Sequence, residues 1–134
     1  MYLNGANHRV VLEITERVKI PDWDVFKKRL ARLHERGLKI AIDDVGAGYS
    51  SLQAVLELQP DYLKIDYSLI HGLESHPIKK SLIASLVDAA QKMGSTVIAE
   101  CIETQAELEA LMALGVPLGQ GFHLKRPMAY GALE

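Results

Sequence analysis

Short apolar runs rich in β-branched residues alternate with longer stretches of helical periodicity along the whole chain. Residues 10–15, Val-Val-Leu-Glu-Ile-Thr, predict a first strand, interrupted by Glu13 and left at Glu16. Residues 1–9 before it are polar, with Asn4, Gly5 and Asn7, and read as a turn or a frayed entry. Pro21-Asp22-Trp23-Asp24 opens a helix with acids in its first turn; Val25, Phe26, Leu30 and Leu33 keep helical spacing up to a stop at Gly37. The apolar run from Lys39 ends in Asp43 and Asp44, a glycine-spaced loop follows, and a helix from about residue 51 to 58 stops before Pro60. Residues 62–66 predict a third strand and residues 67–73 a short helical or irregular link. A long helix over residues 78–93 is closed by Gly94, and residues 96–100 predict a fourth strand. Residues 104–114 predict a helix with Thr104 and Glu107 at capping-box spacing, and residues 118–124 a weaker fifth strand, with Pro127 ending the regular part. This alternation implies an α/β fold of about five parallel strands alternating with helices.

Each predicted strand carries a polar residue at or near its carboxyl end: Glu13, Asp43 with Asp44, Lys64 with Asp66, Glu100, and Gln120. Parallel α/β sheets and barrels bind ligands at that edge. Every one of these residues has a plain structural reading by itself. Asp66 can cap the next helix, Gln120 can be a satisfied core amide, and Asp43 to Gly46 can be a polar turn. Their convergence points instead to a site. Adjacent aspartates repel unless a cation intervenes, and hard divalent ions take carboxylate oxygens. Several carboxylates, one lysine and no Ser–His or Cys–His pair suggest metal-assisted hydrolysis, with Lys64 steadying the water or the developing charge. His8, His34, His71 and His76 read as surface or loop residues, and His123, near the mouth, as satisfied or solvent-facing.

Composition narrows the setting. The 134 residues allow one domain or a piece of one, and the 49% hydrophobic content allows a sizeable core. A formal charge of −2 offers no basic footprint for duplex nucleic acid. No apolar run is long enough for a membrane segment, and the N-terminus does not read as a signal peptide. Cys101 is the single cysteine, so no intrachain disulfide forms and a cytoplasmic location is expected.

Five stretches in order resemble the motifs of EAL-domain cyclic di-GMP phosphodiesterases: Leu12-Glu13-Ile14-Thr15-Glu16, the run from Ile42 to Leu52, Leu63-Lys64-Ile65-Asp66, the run from Ile98 to Thr104, and Gln120-Gly121. The resemblance covers nearly the whole chain. It implies a partial (β/α)8 TIM-like barrel, residues 1–134 being one partial EAL domain. It also implies hydrolysis of one phosphodiester of cyclic di-GMP with two divalent ions, Mg or Mn. By resemblance, Glu13, Asp43, Asp44 and Glu100 are metal ligands, Lys64 holds the attacking water, and Glu103 and Gln120 support the site. The loop over residues 45–51, with Gly46, Gly48, Ser50 and Ser51 and anchored by Glu16, would couple substrate and metal binding to the contacts of a homodimer.

Val45 replaces the family's usual Phe, Ala47 a Thr, and Cys101 a common Gly. The family's naming motif, whose Glu is a metal ligand, and a ligating Asn lie on strands upstream of anything present here. Glu109-Ala110-Leu111 spells that tripeptide inside the last predicted helix and reads as coincidence, and Asn4 and Asn7 lie too close to Glu13 to occupy a preceding strand. The chain alone is therefore expected to hydrolyse cyclic di-GMP poorly or not at all. Its open sheet is expected to dimerise, swap elements or flatten under its helices. The alternatives are an inert cyclic di-GMP receptor and an interaction fragment in which the carboxylates only cap helices.

Overall fold

The computed structural model describes residues 2–4, 9–15, 19–119 and 128–129. Its elements run β1 (Tyr2–Asn4), β2 (Arg9–Ile14), α1 (Trp23–Glu35), β3 (Lys39–Val45), α2 (Tyr49–Leu58), β4 (Tyr62–Ile65), α3 (Tyr67–Ile70), a 3-10 turn (Leu73–Ser75), α4 (Pro77–Met93), β5 (Thr96–Ala99), α5 (Gln105–Ala113), β6 (Leu118–Gly119) and β7 (Met128–Ala129). All the strands lie in one sheet in sequence order. β2 to β6 are parallel, while β1 and β7 pair antiparallel at the two edges.

Two readings at the chain ends are corrected. Residues 2–4 form a strand rather than a turn, and a strand follows Pro127. These strands have three and two residues, too short to display a period of two, and they exist by pairing with a neighbour. The expected strand over residues 118–124 is seen at Leu118–Gly119; the rest of it lies outside the described residues.

Local chemistry explains the helix ends. Asp22 caps α1 by accepting from the Val25 amide at 3.1 Å. Thr104 and Glu107 form the predicted capping box on α5. α2 starts at Tyr49, two residues before the sequence pattern suggested, because the turn that opens it is closed by the Ser51 hydroxyl donating to the Gly48 carbonyl at 2.8 Å.

The two faces of the sheet differ. Ile14, Ile40, Ile42, Leu63, Ile65, Val97 and Ala99 form one core with Leu30 of α1, Val55 of α2, Ile83 and Val87 of α4 and Leu111 of α5. Burying such side chains contributes roughly 1.5–3 kcal/mol each, so this face holds the domain together. Alternation puts Tyr62, Lys64, Thr96 and Ile98 on the other face, where Tyr62, Thr96 and Ile98 are only half-buried. In register, Glu13 pairs with Ala41, Ala41 with Tyr62, and Lys64 with Ile98. The less covered face therefore leads directly to the polar carboxyl edge.

Candidate functional site

Lys64, only 9% exposed, is the centre of that edge. Its Nζ lies 2.8 Å from Glu13 Oε1, 2.9 Å from Glu100 Oε1 and 3.9 Å from Asp43 Oδ1. Each of the four parallel strands β2 to β5 thus delivers a charged group to one point. Register accounts for the meeting: Lys64 pairs with Ile98, and Glu100, two residues further on, leaves on the same face.

Asp43 and Asp44 are adjacent and would point to opposite faces of a regular strand. They do not, because β3 carries an extra residue here. The pairing steps from Ile42↔Leu63 to Val45↔Ile65, and Asp44 takes a left-handed conformation with φ +53°. Asp tolerates that conformation better than most residues. The Asp44 amide donates to its neighbour's Oδ1 at 2.9 Å. As a result, oxygens of Asp43, Asp44 and Glu100 lie within 4.8 Å of one another.

Electrostatics follow from this crowding. Burial alone would lower the Lys64 pKa, but hydrogen bonds to Glu13 and Glu100 and the charges of Glu100 and Asp43 overcome it and raise it, so the ammonium stays charged. Glu100 is pushed up to about 7, first by burial and then by Asp43, with Lys64 pulling the other way. An all-oxygen set of this kind suits a hard cation such as Mg, Mn or Ca. Asp43, Asp44 and Glu100 would hold it; Glu13 reaches the group through Lys64.

The loop after β3 is built for close approach. Gly46 has φ +106°, and a Cβ there would meet Leu69 Cδ1 at 2.5 Å, so any other residue would be strained and would have to displace the Leu69 side chain. Gly48 is extended, Ser50 lies in α2, and Ser51 is buried against the turn it closes. Val45 is wholly buried in the core. Asp66 caps α3 by accepting from the Ser68 amide at 3.0 Å, as its structural reading expected. Glu103 is exposed on the loop after β5, beyond the three-acid cluster. Glu16 and Gln120 lie outside the described residues. Glu109 is exposed in α5 and pairs with Gln105 at 3.2 Å, which places Glu109-Ala110-Leu111 on a helix and away from the acid edge. The sequence signal for Glu107 was a helix cap only; its buried carboxylate also reaches the Gly72 amide on another loop. Among the described residues no helix is long and apolar enough to cross a membrane.

Parallel α/β topology with an acid–lysine cluster at the carboxyl edge of the sheet puts a group that could hold a hard cation where α/β barrel enzymes carry their active sites. The chain belongs to the EAL domain family, which matches residues 2–127. It is 35% identical over 121 residues to "Probable cyclic di-GMP phosphodiesterase PdeG" of Escherichia coli K12, covering 90% of this chain and 24% of that protein. The crystal structure of the EAL domain of Mycobacterium smegmatis DcpA superposes with a TM-score of 0.80 at 35% identity, over 92% of this chain and 56% of that one. Klebsiella pneumoniae BlrP1, in a manganese/cy-diGMP complex, superposes with a TM-score of 0.79 at 41% identity, over 88% of this chain and 30% of that one. The chain thus spans a quarter to about half the length of these relatives.

Proposed function

We propose that this chain carries the acid–lysine part of a metal-dependent cyclic di-GMP phosphodiesterase site. The observation that carries the reading is the convergence of Glu13, Asp43, Asp44, Lys64 and Glu100, drawn from the carboxyl ends of four neighbouring strands, on one edge of the sheet. The manganese and cyclic dinucleotide bound by BlrP1 support the choice of ligands. Two divalent ions, Mg or Mn, would supply an activated water and screen the phosphodiester's charge. Asp43, Asp44 and Glu100 orient their oxygens for that purpose, and the bulge at Asp44 is what lets neighbouring aspartates act together. Lys64 is held protonated, so it serves as a hydrogen-bond donor and a fixed positive charge rather than as a base. Two of its three N–H groups face Glu13 and Glu100, which leaves one for a water or a phosphoryl oxygen. In the reaction water adds across one phosphodiester: a P–O bond to water forms, one P–O bond to a ribose oxygen breaks, and the proton goes to the departing ribose oxygen. The product is the linear dinucleotide. Glu103, Gln120 and Glu16 keep the supporting roles the resemblance implies.

The test compares Mn-dependent hydrolysis by this chain, alone and extended N-terminally by two strands of an EAL domain. We expect weak turnover alone, at least tenfold more in the extended form, and loss of both with Asp43→Ala. Binding of the dinucleotide without turnover in both forms would make the protein a receptor and refute the enzymatic reading. We also propose a cytoplasmic homodimer. Leu52 and Leu56, one turn apart on α2 beside the Gly46 loop, are 43% and 76% exposed and support an apolar contact there. Leu56→Glu should shift sedimentation from dimer to monomer, and a wild-type chain that stays monomeric at high concentration would contradict this.

A further inference from the structure

Glu107 is a buried acid that the chemistry above does not use. It is 2% exposed. An ordinary capping box asks it only to accept from the N-cap amide, which it does at Thr104 at 3.3 Å. It accepts two further bonds. Oε2 takes the Glu103 amide at 2.9 Å, and Oε1 takes the Gly72 amide at 3.2 Å. His71 Nδ1 lies 3.8 Å from the same Oε1, and the His71 ring stacks on Tyr67 with centroids 5.1 Å apart. One carboxylate therefore ties the turn after α3, which follows Lys64 and Asp66, to the loop after β5, which carries Glu100 and Glu103. Burying an acid this deeply is costly unless its oxygens are satisfied, and here three backbone donors satisfy them.

We propose that Glu107 is a positioning residue: it clasps the two loops and so sets where Glu100 and Glu103 stand relative to Lys64. This rests on the metal-site reading for its functional meaning, but the clasp itself is testable without a metal. Glu107→Gln is the diagnostic change. The amide's carbonyl can keep the bonds from Glu103 and Thr104, and thus the helix cap, while its NH2 end confronts the Gly72 N–H, donor against donor. Only the link between loops is cut.

The sole cysteine reports on the clasp, since Cys101 is exposed on the loop between Glu100 and Glu103. The experiment measures the rate of Cys101 labelling by an aromatic disulfide reagent, together with Mn2+ affinity by electron paramagnetic resonance. Wild type, Glu107→Gln and the exposed-site control Glu109→Gln are compared at equal helical content by circular dichroism. The expected result is labelling at least threefold faster and Mn2+ binding three- to tenfold weaker in Glu107→Gln, with Glu109→Gln like wild type. A folded Glu107→Gln that labels at the wild-type rate overturns the proposal, whatever Mn2+ does. A wild-type chain that fails to bind Mn2+ refutes the metal reading separately, and the labelling rate alone then decides the clasp. If Glu107→Gln does not fold, hydrogen exchange in the wild type decides. Co-protected Gly72 and Glu103 amides support the clasp, and solvent-rate exchange at either overturns it.

Discussion

Removing the Lys64 charge is the most direct test of how the acid edge is held together. In Lys64→Met the stem is kept and the ammonium is lost. Glu100 and Asp43 have side chains only 12% and 18% exposed, so their charges lose a partner with little water to replace it. Breaking a buried ion pair by deleting one partner costs about 3–5 kcal/mol. Glu13 is 33% exposed and recovers part of its hydration, which lowers the figure. Glu100, already pushed up to about 7, escapes part of the cost by taking a proton. The expected loss is therefore about 2–4 kcal/mol at pH 8 in EDTA, read from urea unfolding with linear extrapolation. The pH dependence has a definite sign. A carboxyl whose folded pKa lies above its unfolded value makes the native state bind more protons between the two, so stability falls as pH rises from about 4.5 to about 7. Losing Lys64 removes the group that pulls the Glu100 pKa down, so the gap between variant and wild type should be wide at pH 8 and narrow at pH 5. Mn2+ should then stabilise the variant by about 2.7 kcal/mol at a hundredfold excess over its Kd, and at one fixed Mn2+ concentration by more than the wild type. A variant as stable as wild type in EDTA at pH 8 would refute the view that Lys64 neutralises this edge.

Two further changes probe the backbone around the site. Gly46→Ala combines φ +106° with a Cβ 2.5 Å from Leu69 and should destabilise by about 2–3 kcal/mol in urea unfolding; adding Leu69→Ala should recover the steric part but not the conformational one. Cys101→Gly should stabilise by about 0.5–1 kcal/mol in the same assay: Cys101 holds φ +57° on the exposed loop after β5, a conformation that costs a non-glycine residue about 1–2 kcal/mol, of which the greater unfolded-chain freedom of glycine takes back about 0.4–1 kcal/mol.

Much of the architecture was legible because it is written in local patterns. The β-branched runs, the Thr104–Glu107 cap and the alternation of strand and helix needed no tertiary knowledge, since backbone hydrogen bonding and the burial of one apolar face decide them. The family motifs likewise marked Glu13, Asp43, Asp44, Lys64 and Glu100 as a set. The edge strands β1 and β7 were not legible, because a strand of two or three residues has no pattern of its own and is created by its partner.

What sequence alone determined, then, is which residues stand at the carboxyl end of each strand. How they meet was decided by the folded sheet. The extra residue in β3 and the left-handed Asp44 bring neighbouring aspartates to one side, where simple alternation would part them. The strand register carries Lys64 into the middle of the acids, and a helix cap at Glu107 turns into a clasp because the turn at Gly72 happens to fold against it. The physical reason is the same in each case: side-chain direction follows from the local backbone, but the distance between groups far apart in sequence depends on register and bulges, which only the assembled sheet sets.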